Sequence, residues 1–270
     1  MVDSERRPQT IVFVRHGQSK ANVVLQAEKE GDLSGYTPEY RGLANADMEL
    51  TETGIQQALA AGAWIRAHIN EGYFDGYYVS SFRRAQQTAG YLQLPEPENE
   101  AIWNIRDYLR EQSWGYFDSL PRHERDELFP QIAEQRQRDR LHLAPLGGES
   151  TFDLVFRTKI GIIQTLYREL VDGRGIAVSH GNLLWAARIV MEGLTAAMYE
   201  ELDNIDNPLD KMQNCQILQY TRVDPHNPQH VARNFSWMRS VCPWDTSLSR
   251  NEWQEIKRPK FTNAQLLEGV

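Results

Sequence analysis

The chain has 270 residues, 41% hydrophobic and 10% aromatic, enough to bury the core of one α/β domain. Its formal charge of −8 excludes a surface that as a whole draws nucleic acid or anionic membrane, while leaving room for a local basic pocket. Two cysteines, Cys215 and Cys242, exclude a disulfide scaffold and give no zinc spacing, and no run approaches the roughly 18 apolar residues of a membrane span.

Met1 to Thr10 is polar and carries no apolar signal region, so a reducing, cytoplasmic setting is expected. Asn234-Phe235-Ser236 fits a glycosylation sequon, read as coincidence in a chain without a secretion signal. The first element is Ile11-Val12-Phe13-Val14, an apolar run that predicts a short buried strand ending at Arg15-His16-Gly17. After Gln18-Ser19-Lys20-Ala21-Asn22 a helical run is expected to about Glu30. Gly31 to Asp47, rich in Gly, Pro, Tyr and Asn, predicts a long loop, either a lid or a plain surface excursion. Leu50-Thr51-Glu52-Thr53-Gly54 opens the next helix. Thr53 with Gln56 fits a capping box, and Ile55, Leu59, Ala63 and Trp64 make the apolar stripe.

Gly76 to Val79 predicts the second strand, and Ser80-Ser81 a cap for a helix through Arg83, Arg84, Thr88 and Leu92. Pro95 to Asn99 reads as a linker, Ala101 to Ile105 as a third strand, and Leu109 to Gly115 as a loop. The charged stretch 121–142, with Arg122, Arg125, Arg136, Arg138 and Arg140 among acids, predicts one or two helices with a solvated face. Ser150 with Asp153 caps a long helix whose stripe is Leu154, Ile160, Ile163, Leu166 and Leu170. The strand Ile176 to Val178 follows, ending in Ser179-His180-Gly181, then a helix from about Leu183 to Met191. Gln213 to Thr221 predicts an edge strand, with Val231 to Trp237 as its hairpin partner. The aromatics Trp244, Trp253 and Phe261 predict that the tail docks on the domain.

Strands alternating with helices imply an α/β fold: a three-layer α/β/α sandwich, a mostly parallel sheet with helices on both faces. Residues 1–270 are expected to form a single domain, with rim excursions at about 23–49 and 115–148 and a C-terminal extension at about 222–270.

Four groups at predicted strand ends stand out: Arg15, His16, Arg84 and His180. A neutral imidazole can attack phosphorus, provided its other nitrogen is tied by a hydrogen bond that fixes the tautomer. Arg15 and Arg84 offer planar forks for phosphoryl oxygens, and His180 a third donor. Glu111, beside Arg110 and Trp114, is the candidate acid for the leaving oxygen. Taken singly, each of these residues has a plain structural reading, as a satisfied histidine, a surface acid or a solvated arginine. Their coincidence in one topology favours the functional one.

Several stretches together carry a resemblance. They are Arg15-His16-Gly17-Gln18-Ser19 with Asn22; Leu50-Thr51-Glu52-Thr53-Gly54 with Gln57-Ala58; and Ser80-Ser81-Phe82-Arg83-Arg84-Ala85-Gln86-Gln87-Thr88-Ala89. Leu109-Arg110-Glu111 with Trp114-Gly115, Gly148-Glu149-Ser150 and Val178-Ser179-His180-Gly181 complete the set. In this order they resemble the histidine phosphatase superfamily, in its phosphoglycerate-mutase-like branch. The resemblance covers residues 11 to about 190. It implies His16 as the phosphorylated nucleophile and Glu111 as proton donor. Arg15, Arg84 and His180 would form the phosphate pocket, with Asn22 and Gly181 beside it, and no metal or cofactor.

Where mutases of the family carry a Phe-Thr-Gly-Trp-like loop, this chain has the longer Gly35 to Gly42 stretch, and Ser81 stands where the family has Pro. The first departure directs the reading to a phosphomonoester phosphatase acting on a phosphorylated small molecule. A phosphoglycerate-type mutase is the alternative and a non-catalytic phospho-ligand binding module the second. A metal-dependent hydrolase ranks below these, since the seven histidines show no ligand spacing. Oligomeric state is not legible.

Overall fold

Six residues, Thr10–Arg15, form β1, and all but Arg15 are buried. The alternation along this strand sorts two layers. Ile11 and Phe13 face a core with Leu154, Ile162, Leu166, Leu183 and Leu184. Val12 and Val14 face another with Ala58, Ala61, Ile65, Ala85 and Ala89. A strand covered on both faces must be apolar at every position, which is why it reads as a continuous run.

The computed structural model describes residues 7–95, 101–139, 141–204 and 207–268. After β1 come α1 (Lys20–Lys29), α2 (Pro38–Gly42), α3 (Glu52–His68), β2 (Gly76–Ser80), α4 (Arg83–Tyr91) and β3 (Trp103–Arg106). Next are α5 (Arg122–Leu128), α6 (Pro130–Arg138), α7 (Thr151–Arg157), α8 (Thr165–Glu169), β4 (Arg174–Ser179), α9 (Gly181–Arg188) and α10 (Ala196–Asn204). The chain ends with β5 (Ile217–Thr221), β6 (Val223–Asp224), β7 (Asn227–Val231), β8 (Trp237–Val241), β9 (Arg250–Glu255) and α11 (Asn263–Glu268).

The main sheet has seven strands in the order β3-β2-β4-β1-β5-β8-β9. Strands β1 to β4 are mutually parallel, β5 and β9 run against them, and β8 runs with them, so the sheet is mostly parallel in direction. The expected α/β/α layering is present.

Several local expectations are corrected. Strand β5 is interior, between β1 and β8. Its partner is Trp237–Val241, not Val231 to Trp237, with Thr221 opposite Trp237 and Ile217 opposite Val241. The stretch between them makes a separate ribbon of β6 and β7, which absorbs the turn residues. Helix α3 is capped by Thr51, whose side chain accepts from Gly54 N, rather than by Thr53. Its buried face is Gly54, Gln57, Ala58, Ala61, Gly62 and Ile65. That face is small rather than greasy because α4 comes very close: a Cβ on Gly62 would sit 2.0 Å from the Leu92 carbonyl oxygen. Neither Ser80 nor Ser81 caps α4, whose first turn follows Phe82; Ser80 Oγ accepts from Phe82 N.

The box at Ser150 and Asp153 forms as expected. The helix it opens does not stay α: Thr158–Gln164 winds as a π-helix. Leu154, Thr158, Ile162, Leu166 and Leu170 are buried, whereas Ile160 is exposed and Ile163 only partly covered. Wider π turns keep every fourth residue in line, where 3.6-residue winding would rotate the stripe away.

The Gly31 to Asp47 stretch contains α2 and a 3-10 turn, Asn45–Asp47. The third strand falls at Trp103–Arg106. Beyond Pro95, the linker expected to Asn99 lies outside the described residues, as do residues 1–6, Arg140 and the side chain of Arg136. Of the tail aromatics, Trp253 lies in β9 and Trp244 donates to the Asn214 carbonyl at 2.6 Å, while Phe261 is exposed.

Candidate active site

Strand register builds the centre. Parallel pairing sets Arg15 opposite Ser179, so the next residue of each strand, His16 and His180, stands beside the other. His16 N continues the ladder to Ser179 O at 2.9 Å, and the two imidazole centroids are 5.1 Å apart. Pairing of Val79 with Val178 brings Ser80 alongside in the same way, and its hydroxyl lies 2.8 Å from His180 Nε2. All three strands end at one place, the carboxyl edge where open α/β sheets present their crevice.

His16 is buried, and its Nδ1 donates to the Gly17 carbonyl at 2.7 Å, which leaves the Nε2 lone pair facing Arg84 Nε at 3.1 Å. Burial, then Arg84 and Arg15, hold its pKa well below the ordinary imidazole value, so the ring is neutral. His180 is lowered for the same reason, burial first and then Arg84. Because Ser80 Oγ accepts from Phe82 N, its own proton is available to His180 Nε2. That assignment leaves the His180 proton on Nδ1.

Arg84 projects from the first turn of α4. Its Nη1 donates to both the backbone and side-chain oxygens of Asn45, at 2.6 and 3.0 Å. Burial pushes its pKa down to about 10, opposed by Glu111. Arg15 Nη1 donates to the Met212 carbonyl, and burial likewise lowers this guanidinium. Gly181 lets it fit, since a Cβ there would lie 3.3 Å from Arg15 Nε. Gly17 and Gly54 make the other close approach: a Cβ on Gly17 would meet the Gly54 carbonyl oxygen at 2.3 Å. Two buried donors, Arg15 Nε and His180 Nδ1, have no hydrogen-bond partner among the described residues. Such groups are rare and costly, and the oxygens of an anion would satisfy both.

Glu111 follows β3 on a short loop. Burial raises its pKa, against hydrogen bonds from the Gln112 and Asn182 backbones and the fields of Arg84 and Arg15. The loop is pinned from α7. Arg157 Nη1 donates to the carbonyls of Tyr108 at 2.7 Å and Arg110 at 3.1 Å, and Nη2 reaches that of Glu111 at 3.4 Å. Glu149 holds Arg157 bidentately, both contacts at 2.8 Å, and accepts from Ser113 N at 3.0 Å. Gln112 Nε2 donates to the Glu149 carbonyl at 2.8 Å, and Ser179 Oγ to the Leu109 carbonyl at 2.6 Å.

The structure thus brings Arg15, His16, Arg84, Glu111 and His180 together, with Gly181 against Arg15. Asn22 stands one layer behind. Its Oδ1 accepts from Ser19 N, Ser19 Oγ and Asn214 Nδ2, each at 3.1 Å, and Asn214 Nδ2 also donates to the His16 carbonyl at 3.1 Å. Sequence reasoning missed Asn45, Arg157, Asn214 and Asp118, whose Oδ1 accepts from Asn45 Nδ2 at 3.1 Å. Glu149, recognised only as part of a motif, proves to be the anchor of the Glu111 loop. Among the described residues no group of three or more His, Cys, Asp or Glu is placed to hold a metal ion, and no helix is long and apolar enough to cross a membrane.

Comparison with known proteins agrees with this geometry. The family model described as histidine phosphatase superfamily (branch 1) matches residues 11–208, and the chain belongs to that superfamily. It is similar to a 2,3-bisphosphoglycerate-dependent phosphoglycerate mutase of Methylorubrum populi, 30% identical over 195 residues that cover 72% of this chain and 84% of the relative. The protein of the same name from Azorhizobium caulinodans is 31% identical over 188 residues, covering 68% and 82%. Among solved structures, a mycobacterial glucosyl-3-phosphoglycerate phosphatase in complex with VO3 aligns with a TM-score of 0.54 at 24% identity, over 79% of this chain and 92% of that one. A putative alpha-ribazole-5'-P phosphatase from Escherichia coli aligns with a TM-score of 0.57 at 17% identity, over 82% and 93%. These two likenesses are of fold.

Proposed function

We propose that this chain is a phosphomonoester hydrolase that passes the phosphoryl group of a small-molecule substrate through Nε2 of His16. The observation that carries the reading is the fixed tautomer of His16 set beside two buried, unpartnered donors, Arg15 Nε and His180 Nδ1. The Nε2 lone pair forms a bond to phosphorus as the bond from phosphorus to the ester oxygen breaks. Glu111, whose pKa burial raises, gives its proton to the departing oxygen. Arg15, Arg84 and His180 neutralise the three equatorial oxygens, the main task of a phosphoryl-transfer site. Glu111, now a carboxylate, takes a proton from the water that attacks phosphorus. The P–N bond breaks, and inorganic phosphate and neutral His16 are restored.

The second reading is a phosphoglycerate-type mutase, favoured by the names of the relatives at 30–31% identity. The Gly35 to Gly42 stretch speaks for hydrolysis. Its Pro38–Gly42 part is folded as α2 and tied down by Arg41, which meets Glu124 bidentately at 2.9 and 2.6 Å. The decisive experiment compares wild type with His16→Ala on 4-nitrophenyl phosphate, with acid-labile phosphate trapped on the protein. Turnover and labelling in wild type and neither in the variant are expected; equal rates in both overturn the mechanism. Incubation with 3-phosphoglycerate, with and without bisphosphate primer, separates the readings by whether phosphate or 2-phosphoglycerate appears.

A further inference from the structure

The guanidinium of Arg84 turns two different sides to its surroundings. Nε donates to His16 Nε2 at 3.1 Å, so the Nε side faces the place where a phosphoryl group on that nitrogen would sit. Nη1 points away from it, to the backbone oxygen of Asn45 at 2.6 Å and to Asn45 Oδ1 at 3.0 Å. Among the described residues Nη2 has no hydrogen-bond partner. The Phe82 ring lies against the guanidinium, 5.0 Å from centroid to Cζ. That contact sets the tilt of the plane but not the rotation within it. Asn45 sets the rotation: a single acceptor on Nη1 would act as a hinge, whereas two fix the direction of the fork.

An asparagine supplies the second acceptor only when its amide is turned the right way. Flipped, it would set an NH2 against a guanidinium that can only donate. Asp118 Oδ1 accepts from Asn45 Nδ2 at 3.1 Å, and a carboxylate has only acceptors to offer. It therefore keeps Nδ2 on its own side and turns Oδ1 toward Arg84. Burial raises the pKa of Asp118, opposed by the Asn45 hydrogen bond and the field of Arg84. Asp118 also belongs to the loop that bears the proton donor. It closes the turn Gly115–Phe117, its N–H donating to the Gly115 carbonyl at 3.2 Å, and Ser113 of the same loop is tied to Glu149. One loop thus carries Glu111 and reaches Arg84 through a single amide.

We propose that Asp118 is a positioning residue for phosphoryl transfer: through the amide of Asn45 it fixes the rotation of the Arg84 guanidinium, so that Nε and Nη2 meet the phosphoryl oxygens as a fork. This rests on the hydrolase reading above. Donors fixed in place before the reaction need no reorganisation when charge develops, which is where such a residue acts.

Turnover of 4-nitrophenyl phosphate, with inhibition by vanadate and by inorganic phosphate, reads the placement of Arg84, because bound vanadate takes the five-coordinate shape of the transition state and phosphate does not. Asp118→Ala should lower kcat by about 10–100-fold, weaken vanadate by a like factor and weaken phosphate by less. Asp118→Asn keeps an oxygen for the Asn45 amide and should recover most of the loss. In an Asn45→Ala background, Asp118→Ala should add no further loss, since both act through one amide. Should the alanine variant not fold, Asp118→Leu, close to aspartate in shape but without an acceptor, takes its place. An unchanged kcat, equal weakening of the two inhibitors, no recovery with asparagine, or a full further loss in the Asn45→Ala background overturns the role of Asp118 and leaves hydrolysis standing. No phosphate released from 4-nitrophenyl phosphate by wild type overturns both.

Discussion

The two halves of the sheet contribute to the site in different currencies. The parallel half, β3-β2-β4-β1, supplies side chains: Arg15 and His16 end β1, Arg84 follows β2, Glu111 follows β3 and His180 follows β4. The antiparallel half, β5-β8-β9, supplies mainly backbone and support through the segment leading into β5. There the Met212 carbonyl receives Arg15, Asn214 holds the His16 carbonyl, and Cys215 N reaches that same oxygen at 3.3 Å. Cys215 does so with φ at 51°, in the left-handed region that a non-glycine residue adopts only where its surroundings compel it. Parallel strands direct several chain ends to one edge, so chemistry collects there. An antiparallel flank returns the chain and can brace that edge from the side.

The division predicts that damage to the first half is read in rate and damage to the second in stability. The largest effect should come from Glu111→Gln, which lowers kcat/KM on an alkyl phosphate by about 10²–10⁴-fold. The loss should be smaller with 4-nitrophenyl phosphate, whose leaving oxygen needs no proton. The pH profile sharpens this. With His16 lowered from 6.5, the nucleophile is lost only as pH falls through that depressed value, so activity persists on the acid side of 6.5. With Glu111 raised from 4.5, the proton donor is lost as pH rises through the raised value, and the glutamine variant should lack that alkaline limb.

A smaller loss is expected from Arg157→Ala, which frees the carbonyls of the 108–111 loop: kcat falls by about 10–100-fold with KM little changed, and Arg157→Lys does not restore it, because an ammonium cannot span the same carbonyls. An alkaline limb identical to wild type in that variant would show that Arg157 serves the fold alone.

The smallest effects test the other half. Tyr220 Oη donates to Glu192 at 2.7 Å, and Arg188 meets the same acid at 2.9 Å. Tyr220→Phe should cost about 1 kcal/mol, roughly 2–4 °C in melting temperature, with kcat unchanged. Asn214→Ala should cost a similar amount and also slow turnover a few-fold. Turnover in Tyr220→Phe reduced as much as in Arg157→Ala would erase the distinction between the halves.

Much of the centre was legible because it lies next to the strongest local signals. Buried strands read as apolar runs, and the residues that end them, His16 and His180, are fixed by register alone. The supporting residues carry no such signal. Arg157 sits mid-helix and looks like any solvated arginine until the loop of Tyr108 folds against it. Asn45 and Asp118 come from irregular segments with no period to phase them. The α3 stripe was misread because close helix contact selects small side chains, so hydrophobicity points to the wrong face. The β8 register was misread because the turn residues at Asp224 to Pro228 close their own ribbon, displacing the longer pairing downstream.

One contact described above has a further consequence. At rest, Arg84 Nε donates into the lone pair of His16 Nε2. On the proposed reading, the guanidinium thereby covers the nitrogen that would be phosphorylated. An acylating reagent would meet a lone pair already engaged by that donor, whereas an oxyanion that draws the guanidinium onto itself would free it. Selectivity for phosphate would then begin before any bond to phosphorus is made.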